Sequence, residues 1–197
     1  MNQDTQIRVV LADDEPITKM DLHELLSAAG YNVVGEASDG FDAVELCRQT
    51  HPDLVLLDIK MPLLDGLSAA RVIHEEALAG TIMMMTAYNE REFIEQAKQC
   101  SVDGYLVKPI DEKSLIPSIE MAVNRSREIG KLRRDIEKAN DRLESRAVIE
   151  KAKGMLMAQE NMSEQDAYTY IRKVSQEKHL SMKRVAEIIL KRSETQP

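Results

Sequence analysis

Five short, nearly continuous apolar runs punctuate the first 110 residues: IRVVLA (7–12), YNVVGE (31–36), DLVLL (53–57), TIMMM (81–85) and GYLV (104–107). Each has the length of a strand. None alternates strictly between apolar and polar, which is the pattern of strands covered on both faces. Between them lie stretches such as ITKMDLHELLSAAG (17–30), with apolar residues three and four apart and a glycine at the end. That spacing predicts helices. Five β–α units in succession predict an α/β fold with a doubly wound, parallel, five-stranded sheet of flavodoxin-like type.

The pattern changes beyond residue 125. Ile129, Leu132, Ile136, Ala139 and Leu143 step by three, four, three and four residues among Lys131, Arg133, Arg134, Asp135, Glu137 and Lys138. This heptad seam predicts a two-stranded coiled coil, with a helix packed on its own chain as the alternative. Pro117 and Gly130 are candidate kinks. Three short helices fit residues 145–193. The first holds ESRAVIEKAKGMLM. The second starts at Ser163 with a capping box and an apolar stripe of Ala167, Tyr170, Ile171 and Val174. The third starts at Ser181 and turns Val185, Ile188 and Ile189 inward. The expected organisation is an α/β domain over 1–125, a helical coiled-coil linker over 126–144, and a small three-helix bundle over 145–197.

Charge sharpens this division. Residues 1–130 hold 11 Lys and Arg against 23 Asp and Glu, a net of −12; residues 131–197 hold 15 against 11, a net of +4. The second part is therefore the candidate for meeting a polyanion. No apolar run reaches the ~18 residues of a membrane span. The N-terminus lacks the basic and apolar regions of a signal peptide, so a cytoplasmic protein is expected. Cys47 and Cys100 form no CxxC pair, and a buried, reduced state is expected for both.

In a doubly wound sheet the site lies outside the carboxyl ends of the strands. After the first strand come Asp13, Asp14 and Glu15; after the third, Asp58; after the fourth, Thr86 and Ala87; after the fifth, Lys108 and Pro109. Each has an ordinary structural explanation as a cap, a turn residue or a surface charge. Their coincidence at successive strand ends has not. Clustered carboxylates repel one another unless a cation sits among them, and an oxygen-only ligand set suits Mg²⁺. A carboxylate in such a site can accept a phosphoryl group as an aspartyl phosphate, with a lysine neutralising its oxygens. No glycine-rich phosphate loop supports nucleotide binding.

The blocks VVLADDE (9–15), LVLLDIKMPLLDG (54–66), MMMTAY (83–88) and GYLVKPI (104–110) resemble the receiver domain of bacterial two-component response regulators. The resemblance implies that Asp58 is the phosphoacceptor. Asp13, Asp14, Asp58 and the backbone carbonyl of Lys60 would hold Mg²⁺. Thr86 and Lys108 would contact the phosphoryl group, and Tyr105 would be the switch aromatic. A sensor histidine kinase is the implied partner. The added charge, about −1.5 to −2, would draw Thr86 inward and let Tyr105 turn. That would remodel the face made by the helix between the fourth and fifth strands, the fifth strand, and the helix after it. Such a chain is not an enzyme beyond slow self-dephosphorylation.

For the C-terminal part, charge alone leaves DNA, RNA and protein partners open. KHLSMKRVAEIILKRS resembles the second half of a helix-turn-helix, which would make a DNA-binding regulator; a protein-binding adaptor is the other rival. More extensively, RAVIEKAKGMLM followed by SEQDAYTYIRKVSQEKHLSMKRVAEIIL resembles the ANTAR domain, an RNA-binding module of transcription antiterminators. Arg146, Ile149, Glu150, Ala152, Lys153, Gly154, Met157, Ser163, Glu164, Ala167, Tyr168, Val185 and Ala186 fall on its pattern. The resemblance implies a homodimer formed on phosphorylation that binds paired stem-loops in nascent mRNA leaders and prevents the terminator hairpin. DEPIT (14–18) and VKPIDEKSLIP (107–117) resemble the ethanolamine-utilisation antiterminator regulators in particular. Candidate RNA contacts, chosen by charge, are Arg146, Lys151, Lys153, Arg172, Lys173, Lys183 and Arg184. Tyr168 and Tyr170 point about 200° apart on a helix, so one is expected in the core and Tyr168 at the RNA.

Overall fold

A computed structural model describes residues 6–87 and 102–194, with side chains through Lys191. Among these are five strands and six helices. In chain order they are β1 (Arg8–Ala12), α1 (Pro16–Ala28), β2 (Asn32–Ala37), α2 (Gly40–Thr50), β3 (Leu54–Asp58), α3 (Gly66–Glu75), β4 (Ile82–Ala87), β5 (Gly104–Lys108), α4 (Glu112–Gln159), α5 (Glu164–Lys178) and α6 (Met182–Glu194). The chain divides into two units, Met1–Gly130 and Lys131–Pro197.

The first unit is a parallel sheet in the order β2-β1-β3-β4-β5. Its apolar runs are continuous because successive residues serve two cores. Val10, Ala12, Val55, Leu57 and Met84 face one layer, with Ala43, Cys47, Ala70 and Ile73 of α2 and α3. Val9, Leu11, Leu54, Leu56, Met83 and Met85 face the other, with Leu22 and Leu26 of α1 and Leu115 and Ile119 of α4. Cys47 is fully buried, and burial pushes its thiol up to about 12. Cys100 and Tyr88 lie outside the described residues, as does the helix expected between β4 and β5.

Three expectations are corrected. Asp58, Thr86 and Lys108 do not follow their strands but belong to them. Asp58 pairs with Met85, and Ala87 with Lys108, so the ladder carries these polar residues to its last rungs. The first of the three C-terminal helices is not short but is the end of a long helix that includes the linker. Residues 112–159 form one helix, and neither Pro117 nor Gly130 ends it. The seam residues Ile129, Leu132, Ile136, Ala139 and Leu143 are exposed along it. Finally, Tyr170 and Ile188 leave the expected core stripes and are exposed.

In the second unit the core is small. Ala152, Leu156, Ala167, Ile171, Val185 and Ala186 are buried, with Val148, Ile149, Met162 and Ile189 packed partly against them. Three alanines among six core residues let the helix backbones approach closely. Ser163 caps α5, its hydroxyl accepting from the Asp166 amide at 3.2 Å, and the Ser181 hydroxyl accepts from the Arg184 amide at 3.2 Å at the start of α6. In a core this small no neighbour can refill a large vacancy. Ile171→Ala is therefore expected to cost about 2–5 kcal/mol, read as a lower urea midpoint for the helical signal of this unit.

Candidate functional site

The order β2-β1-β3-β4-β5 places its switch point between β1 and β3, where chain connections depart in opposite directions and leave a crevice. Asp13 follows β1 directly and Asp58 ends β3, so the crevice is lined by carboxylates. Asp13 is fully buried and Asp58 nearly so, whereas Asp14 is exposed. One oxygen of each of the three lies within 4.8 Å of the others.

The loops fix these carboxylates. Asp13 Oδ1 accepts from the Glu15 amide at 2.9 Å, and Asp58 Oδ2 accepts from the Lys60 amide at 3.0 Å. Pro16 at the first position of α1 forgoes an amide that helix geometry leaves without a partner there. The loop from Asp58 to α3 is held from both sides by glycine backbone. The Gly66 amide donates to Ile59 O and the Gly40 amide to Leu64 O, each at 3.0 Å. A Cβ on Gly66 would stand 1.9 Å from Asp58 O, and one on Gly40 would stand 2.4 Å from Leu64 O. Sequence reasoning missed this pair of clamps. The signal was available in Asp65-Gly66, an N-cap followed by a glycine in the first turn.

Lys108 supplies the countercharge. Its Nζ lies 2.7 Å from Asp13 Oδ2 and 2.7 Å from Asp58 Oδ1. Burial raises the Asp58 carboxyl above the usual carboxylate range, with Asp13 adding to the rise and the Lys108 ammonium opposing it. Burial pulls Lys108 down, but the two carboxylates outweigh it and its ammonium is held above its ordinary range. Thr86 is buried at the end of β4, its hydroxyl donating to Ala87 O at 3.2 Å. Tyr105 is half-buried on β5, packed partly against the α2–α3 layer.

Does this site suit a cation? Asp13 Oδ2 is buried and takes no hydrogen bond, its close partner being the Lys108 ammonium. The donors are all hard oxygens. Both observations fit a Mg²⁺ ion.

The basic residues of the second unit divide into two groups. Lys153 is only 7% exposed; its Nζ bridges Glu150 at 3.0 Å and Glu164 at 2.8 Å, tying α4 to α5. Lys183 bridges Asp141 at 2.7 Å and Glu144 at 3.3 Å, tying α6 to α4. Both thus hold helices together in this structure. Arg184 pairs with Glu187 at 3.0 Å and Lys173 with Glu177 at 3.9 Å. Arg146, Lys151 and Arg172 are exposed and make no ion pair among the described residues.

Two outcomes test this geometry. Lys108→Met removes the charge that opposes burial, so the Asp58 carboxyl should titrate at higher pH than in the wild type, measured by the pH dependence of its carboxyl ¹³C shift. Gly66→Ala must push the loop away from Asp58 O. It should lower the urea midpoint by an amount equivalent to about 1–3 kcal/mol.

Residues 9–120 match the response regulator receiver domain, and residues 137–190 match the ANTAR domain. The transcriptional regulatory protein PdtaR of Mycobacterium tuberculosis is 44% identical over 183 residues, 93% of this chain and 89% of that one. The nitrate/nitrite response regulator NarL of Escherichia coli is 33% identical over 123 residues, 62% of this chain and 57% of its own. Among solved structures, the receiver domain of NarL from Mycobacterium tuberculosis superposes with a TM-score of 0.57 at 30% identity, covering 60% of this chain and 97% of that one. A chain of the CheX–CheY–BeF₃–Mg²⁺ complex from Borrelia burgdorferi gives 0.55 at 26%, covering 60% of this chain and 92% of its own. The first family model spans over half of these residues and the PdtaR alignment runs nearly end to end, so the chain belongs to the response regulators that join a receiver domain to an ANTAR domain.

Proposed function

We propose that this chain is a phosphorylation-controlled antiterminator. A sensor histidine kinase transfers a phosphoryl group to Asp58, the chains pair through the α4 seam, and two C-terminal units engage two stem-loops of a nascent mRNA leader. The observation that carries the first step is the near-buried Asp58 carboxylate with one oxygen 2.7 Å from the Lys108 ammonium and the other on the Lys60 amide. In the transfer, a carboxylate oxygen of Asp58 forms a bond to phosphorus as the bond to the donor's imidazole nitrogen breaks. Lys108 and the Thr86 hydroxyl then face the phosphoryl oxygens, and the vacated space near Thr86 admits Tyr105.

Asp13, Asp14, Asp58 and the Lys60 carbonyl would hold Mg²⁺, which supplies charge neutralisation of the phosphoryl oxygens when bound. The CheY complex carrying BeF₃ and Mg²⁺ supports this reading. Acceptance of the group, with at most slow self-dephosphorylation, is the only chemistry assigned. Among the described residues no helix is long and apolar enough to cross a membrane, and we assign the protein to the cytoplasm. PdtaR, matched across both domains and named a transcriptional regulatory protein, supports an output on transcription. The exposed seam supports pairing, which would present two RNA-binding units at once and gain affinity by avidity.

The test uses the full chain with a two-hairpin RNA and a DNA duplex, with and without a phosphoryl donor and Mg²⁺, across a salt series. RNA-selective binding that strengthens with the donor, together with dimer formation in sedimentation, is expected for the wild type. Asp58→Ala should lose both responses. If Asp58→Ala dimerises and binds as tightly as the phosphorylated wild type, the coupling is refuted. A preference for duplex DNA would replace the antiterminator with a DNA-binding regulator.

A further inference from the structure

The second unit leaves two tyrosine rings outside its core. Tyr168 and Tyr170 are 45% and 42% exposed, and neither belongs to the buried cluster of Ala152, Leu156, Ala167, Ile171, Val185 and Ala186. An exposed aromatic face is a stacking platform for an unpaired base, and such platforms carry much of single-strand recognition. The rings lie on opposite flanks of α5, so they cannot serve one strand equally.

Their neighbours differ in charge. Asp166 lies one turn before Tyr170 and Glu177 two turns after it, and the cation on that flank, Lys173, is paired with Glu177. Around Tyr168 the same helical offsets bring Glu164, Gln165 and Arg172. The Glu164 carboxylate is held by Lys153 Nζ at 2.8 Å. Arg172, one turn on, is exposed and has no ion pair or hydrogen bond among the described residues. The Tyr168 flank thus offers an aromatic face beside an uncommitted guanidinium, while on the Tyr170 flank the carboxylates of Asp166 and Glu177 outnumber the single ammonium of Lys173.

We infer that Tyr168 stacks on an unpaired loop base of the RNA while Arg172 contacts the adjoining phosphate, and that Tyr170 takes no part. This rests on the RNA reading above and names the residues that would carry it.

The probe is a library of stem-loop RNAs with one fixed stem and a randomised loop. Wild-type full chain, given the phosphoryl donor and Mg²⁺, selects a tight binder from it. The same sequence closed into a continuous duplex is the control. Tyr168→Ala should weaken binding about 10- to 100-fold, Tyr168→Phe less than threefold, and Tyr170→Ala less than threefold. Arg172→Ala should flatten the dependence of log K on log salt by about 0.7, with Arg172→Lys retaining it. The chain contains no tryptophan, so Tyr168→Trp gives a direct signal. Its fluorescence should be quenched by the loop RNA and not by the duplex, whereas that of Tyr170→Trp should not respond. Undiminished binding by Tyr168→Ala, or an equal loss in Tyr170→Ala, overturns the assignment while the RNA reading stands. If the wild type selects no stem-loop, or prefers DNA, both fall together.

Discussion

The receiver unit depends on one contact, the Lys108 ammonium placed between the buried carboxylates of Asp13 and Asp58 at 2.7 Å from each. Two carboxylates brought together out of water repel one another, and desolvation costs several kcal/mol per ion unless a cation compensates. The fold accepts this burden because β1, β3 and β5 end on the same edge of a parallel sheet. The three residues arrive from sequence positions 45 and 50 apart, yet meet at a switch point that any doubly wound sheet creates. The site is therefore charged and only partly neutralised, which suits it to gain a cation.

Backbone, not side chain, shapes the rim of this site. Gly66 and Gly40 bring two amides against the loop that follows Asp58, and a methyl group at either would collide with carbonyl oxygen. With both helix starts pinned, Asp58 has a fixed oxygen on the Lys60 amide and a second on Lys108. A change of charge at Asp58 would therefore fall first on Lys108 and the Lys60 amide.

The C-terminal unit divides its cations between structure and presentation. With six small or medium residues in its core, it has little apolar area to hold three helices together. Lys153 and Lys183 reinforce the contacts of α5 and α6 with α4, and Asp141 and Glu144, the partners of Lys183, lie off the heptad positions of Ile136, Ala139 and Leu143. The packing of α6 therefore leaves the seam clear. Arg146, Lys151 and Arg172 are exposed, make no ion pair among the described residues, and add to the accessible positive charge of this unit.

Much of this was legible in the sequence. The apolar runs identified all five strands; in the central strands β1, β3 and β4 burial on two faces demands nearly uninterrupted hydrophobic residues, and the half-buried edge strands β2 and β5 keep shorter runs. Asp13, Asp58, Thr86 and Lys108 could be picked out because a parallel sheet sends its strand ends to one edge. Residue type and order sufficed for these. Strand lengths were less accessible: pairing of Asp58 with Met85 extends the ladder through polar residues that periodicity reads as loop. The full extent of the helix over 112–159 was less accessible, since the candidate kinks Pro117 and Gly130 leave open where one helix ends and the next begins. That Tyr170 also lies outside the core, and that Lys153 bridges two glutamates, belonged to the tertiary structure alone. A lysine drawn between two glutamates and a tyrosine left outside a core are decided by which helices meet, and a one-dimensional charge count contains no information about that.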